Sequence, residues 1–246
     1  MITAILNSYK RPHTLKEQYE AIMSQTVGDP RVMLWSNSPD DYLDKFPEDV
    51  VKSCTSAFCN ENLGVWARFA FALNAETKYI CVFDDDTIPG TKWFENCLET
   101  MNKSAGLLGC RGVKITGDDY RNYPGCQYVS YGASNPSYDI EQVDIMGHCW
   151  FFEREWLRAY WAELPPVRLI SGGEDMHFSY ALQKHFGLNT YVPPHPVEDK
   201  EMWGSLKSSE YGEDMAAPSR TIDGDKQANW YWNFILDNGY KLTKDM

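Results

Sequence analysis

The chain has 246 residues, 43% of them hydrophobic and 14% aromatic, with a net charge of −12; this is enough for one sizeable core and argues for one domain with at most an appendage. A uniformly acidic surface repels phosphodiester backbones and counts against general nucleic-acid affinity. No run approaches the ~20 apolar residues of a membrane span, and "MITAILNSYK" lacks the basic start of a signal peptide. The seven scattered cysteines, odd in number and without CxxC spacing, argue against a disulfide framework and for a reducing, cytoplasmic setting.

In chain order, "ITAILNS" (Ile2 to Ser8) reads as a buried first strand. A helix follows, with Pro12 in its first turn, Thr14 and Glu17 at capping-box spacing, and Leu15, Tyr19 and Ile22 on one face. "RVMLWSN" (Arg31 to Asn37) is a second strand, so the chain opens as β-α-β, the unit of a parallel α/β sheet. Gly64 precedes a helix expected to bury Trp66, Phe69, Ala70 and Leu73 and to point Arg68 away from that face. "KYICVF" is a third strand, and "WFENCLETMNKS" a helix ending near Ser104. "GLLGCRGVKI" and "CQYVSYG" look like strands, and "VDIMGHCWFFERE" like one buried strand running into a helix that Pro165 and Pro166 stop. The "ISGGED" loop enters a helix with Phe178, Leu182 and Phe186 as its apolar stripe and Gly187 as its stop. "NTYVPPHPV" is a last short strand. Residues 201–246 are expected to form a mobile loop and a closing helix on a core of residues 1–200.

Three polar clusters fall at the carboxyl ends of these strands, where open α/β sheets bind ligands: "NSYKRP", "FDDDT" and "GGED". Asp84, Asp85 and Asp86 follow a buried run directly, and without a cation their repulsion raises at least one pKa. Carboxylate oxygens suit magnesium or manganese, which share their coordination sphere with substrate phosphates. In an extended segment Asp84 and Asp86 share a face, leaving Asp85 free for a sugar or ribose hydroxyl. The ordinary alternative is a loop with an Asp helix cap. In "SGGED" the acidic pair suits a helix N-terminus; paired glycines also allow close approach of a ligand, and a carboxylate there can act as general base. Asn7, Tyr9 and Arg11 follow the first strand, where Arg11 suits a phosphate and Tyr9 a base; taken alone these are ordinary turn residues, as are Asn62 and Arg68.

Together these residues resemble the nucleotide-sugar glycosyltransferases of GT-A fold, an α/β class with a mostly parallel sheet flanked by helices. The likeness covers roughly residues 1 to 200. "NSYKRP" and "NLGVWARF" look like the broad family 2 of these enzymes, "FDDDT" like their DXD motif, "FDDDT" with "VDIMGHCWFF" like the exostosin type, and "GGED" like the acceptor-side motif of galactosyltransferases. The resemblance implies transfer of a sugar from a nucleotide-diphosphate sugar, a UDP-sugar first among them, to a glycan or other hydroxyl acceptor, with Mn2+ or Mg2+ as cofactor. It implies Asp84 and Asp86 as metal ligands, with His195 of "PPHP" completing the sphere. Asn7, Tyr9, Arg11, Asn62, Arg68, Asp84 and Asp85 are implied as donor contacts, Asp175 as catalytic base and Glu174 as its neighbour at the acceptor. Inversion is expected from "GGED", whereas the exostosin type retains configuration. Trp203, in the polar tail, is expected to stack on a sugar as the tail closes. The alternatives are transfer to a hydroxymethylated DNA base, which the charge disfavours, a sugar-phosphate nucleotidyltransferase, and a non-catalytic carbohydrate-binding protein.

Overall fold

The computed structural model describes residues 1–27, 29–37, 45–117, 125–130, 135–211 and 222–246. In chain order the elements are β1 (Ile2–Ser8), α1 (Leu15–Met23), β2 (Arg31–Ser36), α2 (Glu48–Ser53), β3 (Thr55–Phe58), α3 (Ala67–Phe71), β4 (Tyr79–Phe83), α4 (Trp93–Lys103), β5 (Gly106–Leu108) and β6 (Arg111–Ile115). Then follow β7 (Cys126–Val129), β8 (Glu141–Val143), β9 (Ile145–Gly147), β10 (Cys149–Glu153), α5 (Leu157–Ala162), α6 (Glu174–Phe186), β11 (Asn189–Val192), α7 (Ser208–Tyr211) and α8 (Ile222–Asp237). Among the described residues no helix is long and apolar enough to cross a membrane.

Eight strands form the central sheet in the order β3-β2-β1-β4-β10-β5-β11-β8, and β7-β6-β9 form a small second sheet. Strands β3, β2, β1 and β4 run parallel, so the carboxyl ends of β1 and β4 open on the same edge. β10 enters antiparallel between β4 and β5. The central strands are apolar on both faces because helices cover both, as parallel sheets require: Ile5, Leu6, Val82, Phe83, Leu107, Leu108, Trp150 and Phe151 are all sealed from solvent. Phe69, Tyr160 and Phe178 pack rings against one another and against Trp150 and Phe152. Burial of each such ring contributes about 1.5–3 kcal/mol, which gives the sheet edge that carries the polar loops a rigid base.

Two local expectations fail for identifiable reasons. "VDIMGHCWFFERE" is three strands rather than one: the chain leaves β8 at Asp144 and leaves β9 at His148, whose φ is +69°. The Asp144 carboxylate is buried and accepts the backbone N–H groups of Ile115 and Thr243. Satisfying those donors breaks the strand. In α3, Arg68 is 3% exposed and Leu73 53% exposed, the reverse of the helical-face reading. Ion pairing turns Arg68 inward, as the site shows, and the helix gives way to a short 3-10 turn at Ala72–Asn74. α2 and the edge strand β3 carry no strong periodic signal and were not expected.

Candidate active site

The carboxyl end of β4 leads straight into Asp84, Asp85 and Asp86, and the backbone of this loop is tied down from two sides. Gln18 of α1 donates to the carbonyls of Asp84 (2.7 Å) and Thr87 (2.8 Å), and the Thr14 hydroxyl donates to that of Asp85 (2.7 Å). From the corner between β9 and β10, the His148 carbonyl accepts the Asp84 N–H (2.9 Å) and the Thr87 hydroxyl (3.0 Å).

The three carboxylates have different partners. Asp85 is 6% exposed and accepts the Tyr9 N–H (2.9 Å) and Arg11 Nη1 (2.5 Å). Desolvation outweighs Arg11 and pushes its pKa up to about 7. The turn after β1 is therefore bonded to the middle aspartate, which faces protein rather than open solvent. Asp84 pairs with Arg68, whose other nitrogen, Nη2, holds Glu174 Oε1 at 3.0 Å. Asp86 is buried but loosely held: its Oδ1 lies 3.3 Å from the Thr87 hydroxyl oxygen, whose proton goes to the His148 carbonyl, and 3.7 Å from His148 Nδ1, and its Oδ2 lies 3.7 Å from Arg11. Asp84, Asp86 and His148 bring ligand atoms within 4.8 Å of one another.

The second acidic loop arrives through Gly173, whose φ of +92° only glycine adopts freely; a Cβ there would also press on Tyr231 at 3.0 Å. Gly64 is equally constrained, at φ +84° with a Cβ 2.5 Å from the Ile170 carbonyl. α8 braces this loop: Gln227 Oε1 accepts the N–H groups of Ile170 (2.8 Å) and Ser171 (3.0 Å), and Tyr231 bonds His177 on α6. The sealed His177 ring also reaches the Tyr160 carbonyl at 2.6 Å, and burial lowers its pKa to about 4. Glu174 and Asp175 begin α6. Burial raises both carboxyl pKa values, Asp175 the more strongly because Glu174 and Asp84 add negative charge beside it while Arg68 opposes them only in part.

Arg68 is therefore the joint between the two acidic loops, with its guanidinium 4.4 Å from the Trp150 ring centroid. Arg68→Met is expected to destabilise the fold by about 3 kcal/mol, because it leaves the buried Glu174 and the half-buried Asp84 without their cation. Urea unfolding measures this; a loss below ~1 kcal/mol would mean the network does not hold the loops.

The remaining expected residues are placed as follows. Asn7 is half-buried on β1 opposite Trp35, and Tyr9 is half-buried beside Lys10. Asn62 is exposed, but its Oδ1 accepts the buried Asn37 Nδ2 (2.9 Å) and the Gly64 N–H (2.8 Å), so it shapes the "NLG" turn. His195 is not brought to the carboxylates. Its Nδ1 lies 2.7 Å from the Pro193 carbonyl and its Nε2 accepts the Gly204 N–H at 3.2 Å. Both nitrogens are thus committed to backbone, and burial lowers the ring pKa to about 4. Trp203 is buried against His195 and donates its indole N–H to the Pro196 carbonyl at 2.7 Å, so its ring is not offered as a sugar platform. Residues 201–211 of the expected mobile segment are docked, through Glu201 to Thr91 and Lys92 and through Tyr211 to Glu17; residues 212–221 lie outside the described residues. Sequence reasoning missed Asn37, Gln18 and His148. Only His148 left a signal, as a polar interruption of the apolar run "VDIMGHCWFF".

Residues 3–161, well over half of the chain, match the family model described as Glycosyl transferase family 2. No curated protein sequence matches. Among solved structures, the mannosyltransferase PcManGT from Pyrobaculum calidifontis in complex with GDP-Man and Mn2+ aligns with a TM-score of 0.52 at 17% identity, over 81% of this chain and 58% of that one. TarS 1-349 from S. aureus in complex with UDP aligns with a TM-score of 0.50 at 12% identity, over 79% and 58%. The longer S. aureus TarS structure gives 0.52 at 14% identity, over 79% and 35%. The chain thus spans less than two thirds of the length of these neighbours, and the likeness concerns the fold.

Proposed function

The chain belongs to glycosyl transferase family 2 and has the GT-A fold, and from that membership we propose a metal-dependent transfer of a sugar from a nucleotide-diphosphate sugar to an acceptor hydroxyl, with inversion at the anomeric carbon. The observation that carries this reading is the Arg68 joint, which holds the Asp84 and Glu174 loops together at the carboxyl edge of the sheet.

Asp86, with Asp84 beside it, suits a hard divalent cation: two neighbouring carboxylates, one of them buried with only long contacts, are a donor set short of positive charge. Mn2+ or Mg2+ held there would stabilise the negative charge that builds on the leaving diphosphate. Arg11 and the Tyr9 N–H keep Asp85 and the donor-side turn in register. Asp175 takes the acceptor hydroxyl's proton as the oxygen attacks the anomeric carbon and the bond to the diphosphate breaks. Glu174, held by Arg68, fixes the start of α6 and so the position of Asp175. PcManGT binds GDP-Man with Mn2+ and TarS binds UDP; a UDP- or GDP-sugar is accordingly the donor class to test.

A thermal-shift screen of nucleotide sugars with and without Mn2+ tests this reading. A ligand at about 100 times its Kd stabilises the native state by about 2.7 kcal/mol. One nucleotide sugar should raise Tm by several degrees only when Mn2+ is present. No Mn2+-dependent shift with any UDP- or GDP-sugar would overturn the proposal.

A further inference from the structure

His148 stands beside the two carboxylates, and a third metal ligand is the obvious role for it. Its hydrogen bonds assign another. Arg111 Nη1 lies 2.8 Å from His148 Nε2. A guanidinium carries only donors and keeps its protons in proteins, so Nε2 must accept and the ring proton sits on Nδ1. Nδ1 is the nitrogen that faces Asp86 Oδ1 at 3.7 Å, buried and without a hydrogen-bond partner. A protonated ring nitrogen has no lone pair to offer a cation.

We propose that His148 is a positioning residue and not a metal ligand: Arg111 holds it in the Nδ1–H tautomer, and that N–H is aimed at Asp86 to orient the carboxylate that meets the metal and diphosphate. The inference rests on the metal-dependent reading given above. The backbone supports it independently. His148 adopts φ +69°, a left-handed conformation uncommon outside glycine, although His tolerates it better than most residues. Such a conformation persists only where the surroundings over-determine it. Here the same turn delivers the His148 carbonyl to Asp84 and Thr87 and the ring to Asp86. One residue thereby sets both the backbone and a side chain of the aspartate loop. At 3.7 Å the contact is electrostatic rather than a hydrogen bond, and outer partners that orient a ligating group are a recognised lever on metal affinity.

Mn2+ bound to the full chain with UDP provides the test. Electron spin-echo envelope modulation of the wild-type complex is expected to show no coordinated histidine nitrogen, that is, no 14N coupling that vanishes on 15N-histidine labelling. His148→Gly accepts the left-handed backbone without strain and removes the ring; Mn2+ affinity should fall about tenfold. His148→Asn also tolerates the backbone and offers an amide N–H but no imidazole, so it should recover most of that loss. A histidine 14N coupling, a His148→Gly affinity equal to wild type, or a His148→Asn no better than His148→Gly would each overturn the assignment. If wild-type protein binds no Mn2+ even with UDP, the metal reading fails, and this inference with it.

Discussion

Asp175→Asn is expected to bind a nucleotide-sugar donor as wild type does and to lose transfer by about 10²–10⁴-fold, the range that a positioned general base supplies. The substitution keeps shape and removes the ability to take a proton, so kcat should fall with the donor Kd unchanged. The environment of Asp175 adds two further expectations. Desolvation, Glu174 and Asp84 raise its pKa, with Arg68 opposing. A base must be ionised, so the acid limb of the wild-type kcat profile should lie above the ordinary carboxylate value of about 3.9, with activity rising as pH rises through it. The stability consequence has the opposite sense. A carboxyl whose native pKa is raised contributes its stability below the unfolded pKa and loses it as pH rises through the native value. Asp175→Asn should therefore be more stable than wild type at neutral pH while nearly inactive. Transfer at the wild-type rate would exclude Asp175 as the base.

The second large effect is expected at Asp86. Asp86→Ala should weaken Mn2+-dependent binding of a nucleoside diphosphate at least about 100-fold, or about 2.7 kcal/mol, as measured by calorimetry with and without Mn2+. Binding without metal should change little, because Tyr9, Arg11 and the "NLG" turn are held by Asp85, Asn37 and Asn62 instead. Asp84→Ala is the informative contrast. It also leaves Arg68 with a single carboxylate partner, so it should lower unfolding stability as well as metal binding. Asp86 makes only long ionic contacts, 3.7 Å to Arg11 and to His148, and its substitution should leave Tm without ligand close to wild type. Equal Mn2+-dependent affinity in Asp86→Ala and wild type would rule out the metal role of this residue.

Much of the fold was legible in the residues. β1, β2 and β4 are apolar runs bounded by polar residues, and α1, α4 and α6 carry periodic faces with recognisable stops. The acidic loops were legible for a related reason: three aspartates after a sealed strand and an acidic pair after two glycines are costly without a purpose. Such signals are local, and local chemistry is readable from one chain.

Partnership across the sheet was not readable. Helical periodicity places Arg68 on the solvent side, yet two carboxylates from distant loops draw it into the interior, and Leu73 is left outside. His195 carries a plausible ligand side chain, but the proline turn that holds it uses both ring nitrogens on backbone. Trp203 lies in a polar stretch that suggests mobility, and it is buried because Glu201 accepts the Lys92 N–H just before α4 and Gly204 donates its N–H to the His195 ring. His148 reads as one residue in a buried strand and proves to be the left-handed corner where that strand breaks. Composition, alternation and punctuation settle which segments are strands, helices and acidic loops, because each depends on neighbours in sequence. Which carboxylate meets a cation, which arginine and which imidazole nitrogen depends on charges from separate strands sharing one desolvated edge, and only the folded chain brings those together.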